Sequence, residues 1–159
     1  MSTITIILQA LFDASMLGVM IFAAISDGKT KKVPWWAIWT SLGISVTHSV
    51  FVFGHFGFKE GILHVVTGVL MATIYLIMVL IFKGKGIGGA DSKMTSILAL
   101  YLGLIPTIVM MIVHYLAAII YKVFMSKVKH KTIKSVRLMI FLGIGFVAAI
   151  ITNWIILLV

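Results

Sequence analysis

The chain has 159 residues, 62% of them hydrophobic, and its 13 Lys and Arg against 4 Asp and Glu give a net charge of +9. A soluble domain of this size is nearer half apolar, so the composition excludes one. The absence of cysteine excludes disulfides, thiolate zinc sites and cysteine nucleophiles.

The apolar residues come in runs of about 20, the length needed to cross a bilayer. They predict an all-α polytopic membrane protein of six transmembrane helices, the fourth short, forming a single domain over residues 1–159. The first span runs from Ile4 to Ile25 and ends at Ser26-Asp27-Gly28. It is not expected to be a cleavable signal peptide, because such peptides open with a basic region and the first basic residue here is Lys29. Asp13 lies within this span, 14 residues before Asp27, or about 21 Å along a helix. That is too far to act with Asp27, and either pairing with another span or contact with water is expected.

The second span runs from Pro34 to Gly54. Pro34 suits a first helical turn, where its missing N–H costs nothing. Trp35, Trp36 and Trp39 follow as an interfacial aromatic belt. The third span covers Gly61 to Phe82 and leads into Gly84-Lys-Gly-Ile-Gly-Gly-Ala-Asp-Ser-Lys93. The stretch Ser92–Met125, as one helix, would extend about 50 Å, well beyond a hydrocarbon core of about 30 Å. Gly103 and Pro106 offer a break. A short segment from Ser92 to Leu104 and a longer one from Pro106 to Phe124 are therefore predicted. The sixth span runs from Val136 to the C-terminus, and Gly145 with Ala149 permits close helix approach without specifying an oligomer.

Charge fixes the expected topology. Loops 27–33, 83–93 and 122–137 hold every Lys and Arg except Lys59. Six spans put these three loops on one side, which the positive-inside rule makes cytoplasmic. Asp27 and Asp91 then share that edge. Anionic lipid headgroups account for the basic loops before nucleic acid does, because the charges do not line one helix face.

Two carboxylates a few ångströms apart cannot both ionise comfortably, so they share one proton and titrate as a unit. The ionised member can take a proton from water attacking a peptide carbonyl, while the protonated member donates to the carbonyl oxygen. The glycines before Asp91 are expected to allow positive φ and close backbone approach to an extended substrate. Each acid alone also fits a plainer role, Asp27-Gly28 as a turn and Asp91 as a helix cap.

Asp27 with Val33-Pro34, then Gly89-Ala90-Asp91-Ser92-Lys93 before a later span, resembles the type IV prepilin peptidase family, membrane aspartyl proteases of the GxGD class. The shared layout covers about residues 10–125. Ala90 stands in place of the second glycine, as in Gly-Ala-Asp variants of some archaeal and short bacterial members. Trp35 follows Pro34 where many members have Asn. The chain lacks the paired cysteines and extra cytoplasmic region linked to N-methylation in the large bacterial enzymes.

The resemblance implies catalytic Asp27 and Asp91, substrate contacts from Pro34, Gly88, Gly89 and Lys93, no cofactor, and cleavage without methylation. The implied substrate is a prepilin-like precursor (pilin, pseudopilin or archaellin) with a short basic leader before a long apolar helix. It would be cut at the cytoplasmic edge of the cell membrane. A basic leader meets a basic face there. Anionic lipids would screen the repulsion, and substrate acids near the cut would pair with Lys93 or Lys85.

Three alternatives remain at this point. Presenilin-type proteases share the GxGD logic but place Tyr before the first Asp, where this chain has Ser26. A small ion-coupled transporter could use both acids as cation sites. A non-catalytic pilus-assembly protein could keep the same fold. His48, His64 and His114 are expected to hydrogen-bond between helices. His55, Glu60 and His130 are expected in loops, and no two histidines of one segment have metal-ligand spacing.

Overall fold

A computed structural model describes residues 2–81, 89–129 and 138–158, which form six helices. These are α1 (Thr3–Thr30), α2 (Trp35–His55), α3 (Phe58–Ile81), α4 (Gly89–Leu102), α5 (Leu104–Lys129) and α6 (Leu138–Leu158). Five are long and apolar enough to cross a membrane. The exception, α4, has 14 residues and extends about 21 Å, short of a core of about 30 Å. The chain is thus an all-helical polytopic membrane protein with a short fourth helix.

Local chemistry sets the helix ends. Ser2 caps α1 by accepting the Thr5 N–H at 3.2 Å. The helix runs past the expected end at Ile25 because a cap forms only later. Lys31, at φ 58, is left-handed and donates its N–H to the Asp27 carbonyl at 3.0 Å. Pro34 precedes α2 as its N-cap, extended at ψ 142, instead of entering the first turn. Its carbonyl accepts the Ala37 N–H at 3.1 Å.

The predicted break between α4 and α5 falls on Gly103, at φ +74, a conformation glycine adopts without steric penalty. Pro106 is not the breaker. It occupies the first turn of α5, where helix N–H groups have no intrahelical partner in any case.

Helix α4 packs against α2, α3, α5 and α6, and its Met94, Leu98, Ala99 and Tyr101 are wholly buried. Met16 and Met20 of α1, Met110 of α5, and Leu142 and Phe146 of α6 complete the core. Large aliphatic side chains such as Val50, Val69, Leu80, Ile119 and Ile151 point outward. Lipid tails are as apolar as leucine, so small and polar residues mark the interior instead. Ser41, Ser45, His48 and Thr95 are buried. A Cβ on Gly145 would lie 2.5 Å from the Met110 carbonyl oxygen, and one on Gly68 would lie 2.7 Å from Leu100 Cβ. Bare backbone at these points lets α6 close on α5 and α3 on α4.

One end of the bundle gathers the end of α1 and the starts of α2, α4 and α6. Asp27, Pro34 and Gly89 line a common cavity there, and Gly28 shares a neighbouring groove with Ile140. This matches the common side expected from charge counting.

Candidate active site at one end of the bundle

Asp27 sits on the last turns of α1, and Asp91 is the third residue of α4. Both are half-buried and line one cavity of about 600 Å³. Deeper in the bundle, Met16, Met20 and Ala23 of α1 share one buried core with Met94, Leu98 and Tyr101 of α4, so the opening is confined to this end. Asp27 is helical, which removes its reading as an ordinary turn residue. Asp91 lies inside α4, not at its cap.

The connection from α1 to α2 folds back on the helix that carries Asp27. Ser26 Oγ donates to the Lys32 carbonyl at 3.1 Å, and Thr30 Oγ1 lies 3.2 Å from the same oxygen. These bonds hold Lys32, Val33 and Pro34 against the cavity. On the other side, Ser92 Oγ donates to the Gly89 carbonyl at 3.0 Å and Thr95 Oγ1 to the Asp91 carbonyl at 2.8 Å. Sequence reasoning assigned none of these hydroxyls a role. Thr95 makes an ordinary back-bond to the carbonyl four residues earlier, whereas Ser26 and Thr30 reach forward to Lys32, a contact that depends on how the connection folds back.

Burial pushes the Asp91 carboxyl up to about 6, and the Asp27 carboxylate adds to the shift. The N-terminus of α4 acts in the opposite sense, since it favours negative charge. Burial and the like charge outweigh it. Near pH 6 Asp91 is therefore half protonated while facing a second carboxylate, the protonation pattern that acid–base catalysis by a pair requires.

Pro34, Gly89 and Lys93 line the same cavity, with Lys31, Lys32 and Trp35. Gly88 and Lys85 lie outside the described residues. Gly89 does not act as expected. It is helical, no positive φ is needed there, and an added Cβ would meet nothing within 4 Å. Its missing side chain leaves the cavity wall open instead of relieving backbone strain. Lys93 Nζ stands 4.6 Å from the centre of the Trp35 ring, a cation–π contact that joins the first turns of α2 and α4. Trp35 is also 64% exposed, so the belt residue doubles as a cavity wall.

A second, apolar groove of about 490 Å³ adjoins the first between α2, α3 and α4. Trp39, Leu42, Ala72 and Leu76 line it, and it shares Trp35, Ile38 and Lys93 with the carboxylate cavity.

Asp13 stands apart from the pair and pairs between helices, as expected. It is 7% exposed and accepts the Tyr101 hydroxyl at 2.6 Å, Trp154 Nε1 at 2.9 Å and Gln9 Nε2 at 3.3 Å. It thereby ties α1 to α4 and α6. His48 and His64 bond between helices, to Gln9 Oε1 at 2.9 Å and to the Leu100 carbonyl at 3.3 Å. Glu60 belongs to the first turn of α3, where it is exposed. Among the described residues, no group of three or more His, Cys, Asp or Glu is placed to hold a metal ion.

No protein-family model matches the chain, and neither a curated protein nor a solved structure does. Function is therefore argued from the residues and the geometry of the site.

Proposed function

We infer that the protein is a membrane aspartyl endopeptidase, and that it removes the short basic leader from type IV prepilin-like precursors at the cytoplasmic membrane edge. The observation that carries this reading is the meeting of Asp27 and Asp91 in one open cavity, with the Asp91 carboxyl raised to about 6. The ionised carboxylate takes a proton from water as it attacks the scissile carbonyl. The protonated carboxyl donates to the carbonyl oxygen, and the proton taken up then passes to the leaving amine. The cavity has room for an extended peptide, and the adjoining apolar groove suits the hydrophobic segment that follows the cut. Lys93, steadied on Trp35, is placed to pair with a substrate acid.

An ion-coupled transporter fits the interior less well. It needs a polar route through the bundle, and between Asp13 and Asp27 the inward face of α1 carries Met16, Met20 and Ala23, all buried.

The test is co-expression of candidate precursors with the wild type, Asp27→Asn and Asp91→Asn, reading each precursor's N-terminus by mass spectrometry. Leader loss with the wild type alone supports both acids. Cleavage surviving either substitution overturns the dyad, and no cleavage of any candidate moves the reading to a transporter or a non-catalytic assembly protein.

A further inference from the structure

An apolar helix that follows a scissile bond out of the carboxylate cavity needs an apolar path from that cavity into the lipid. Two apolar grooves lie near the same end of the bundle. The one between α1 and α6, of about 560 Å³, shares no lining residue with the carboxylate cavity. The one between α2, α3 and α4, of about 490 Å³, shares Trp35, Ile38 and Lys93 with it. Only the second is continuous with the two acids.

The shape of this groove follows from where the helices can close. Toward the far end, α2 and α3 meet where Gly61 has no side chain against the Phe53 ring, and α3 meets α4 where Gly68 faces Leu100. At the Asp91 end, α2 and α3 stand on either side of α4, and Ser92 and Ser96 of α4 lie between them. The α2 wall from Trp35 to Leu42 is about 10 Å long, or two helical turns, and Ala72 to Val79 of α3 match it. Trp39 and Leu76 on these walls are exposed, so the groove faces the lipid. Both serine hydroxyls already donate within α4, to the Gly89 carbonyl at 3.0 Å and the Ser92 carbonyl at 2.9 Å. An apolar occupant therefore strands no donor, and the short side chains let a helix backbone come close.

We propose that the precursor's transmembrane helix enters sideways from the lipid between α2 and α3, and that its first two turns after the cut seat on α4. Ala72 sets the clearance of that seat and is a specificity-determining residue. The proposal rests on the peptidase reading and adds to it the route and the seat.

The chain has no cysteine, so introduced thiols report alone. Full-length protein carrying Asp91→Asn, which leaves the precursor uncut, is placed in nanodiscs with Leu42→Cys, Leu76→Cys or, in the α1–α6 groove, Ile144→Cys. The partner is a precursor that the wild type cleaves, freed of its own cysteines and given one in the second turn after the cut. Oxidative cross-linking is expected at Leu42→Cys and Leu76→Cys, severalfold above Ile144→Cys, and excess thiol-free precursor should suppress it. In the active protein, Ala72→Phe fills the groove and should raise KM severalfold with kcat little changed, the mark of lost binding and not of a damaged site. Thermal melts confirm that each variant folds. Cross-linking at Ile144→Cys equal to or above the other two overturns the route, as does a KM unmoved by Ala72→Phe. Cleavage by the wild type with no cross-link at Leu42→Cys or Leu76→Cys leaves the groove to lipid acyl chains and overturns the seat, while the peptidase reading stands. If the wild type cleaves no precursor, the peptidase reading fails and the seat fails with it.

Discussion

Asn in place of Asp27 separates the two causes that raise the Asp91 carboxyl. Burial is the larger and the Asp27 charge the smaller, and together they bring it from 3.8 to about 6. A group titrating at about 6 is about one-half protonated at pH 6, about one-tenth at pH 7 and about one-hundredth at pH 8. Cleavage needs one proton on the pair, so wild-type kcat/KM is expected to fall about tenfold per pH unit above that point. In Asp27→Asn the charge is gone and the burial stays, so Asp91 should titrate below 6 yet above 3.8. Carbon-13 NMR of labelled aspartate in detergent reads this directly, and it works in a variant that no longer cleaves. The sign carries over to stability. A raised folded-state value means the folded state holds its proton more tightly, so the contribution is full below about pH 4 and is lost as pH rises through about 6. Asp91→Asn should flatten the pH dependence of the melting temperature across that window. Titration of wild-type Asp91 near 4, or a value unchanged by Asp27→Asn, would refute the reasoning.

Lys93→Glu should impair cleavage of precursors that carry an acid beside the cut, by removing the pairing partner and breaking the contact with Trp35. Normal cleavage by that variant sinks the assigned role. Asp13→Leu leaves the wholly buried Tyr101 hydroxyl without an acceptor, at a cost of about 1–3 kcal/mol. Unfolding in mixed micelles should show that loss, and unchanged stability would mean Asp13 is not the interhelical tie described. Gly103→Ala forces a side chain into a left-handed position, costing about 1–2 kcal/mol, with its Cβ 2.8 Å from His64 Nε2. Its melting temperature should drop, whereas Gly89→Ala, with open space around its Cβ, should leave thermal stability unchanged.

Much of the architecture was legible in the chain because bilayer crossing demands long apolar runs, and such runs are visible without knowing any contact. The shortness of α4 followed from arithmetic on Ser92–Met125 and from Gly103, whose left-handed backbone the structure bears out. Helix ends were less legible. Asp27-Gly28 looked like a stop, but a helix ends where its last carbonyls find donors, and that happens at Lys31. Pro34 and Pro106 each exchanged roles, because a proline is tolerated both just before a helix and within its first turn.

The sequence by itself determined that this protein lives in a membrane and that Asp27 and Asp91 each fall at the edge of a span, beside basic residues. Scarcity made those acids conspicuous, and the spacing of the spans placed them. Only the tertiary structure decided that the two acids share one cavity, that Lys93 rests on Trp35, that Asp13 is held by Tyr101 and Trp154, and that His48 meets Gln9. The physical reason is the solvent. Lipid and protein core are both apolar, so a spanning helix shows little contrast between its inner and outer faces. Which side chains meet is then set by close packing and by a few hydrogen bonds between residues far apart in the chain.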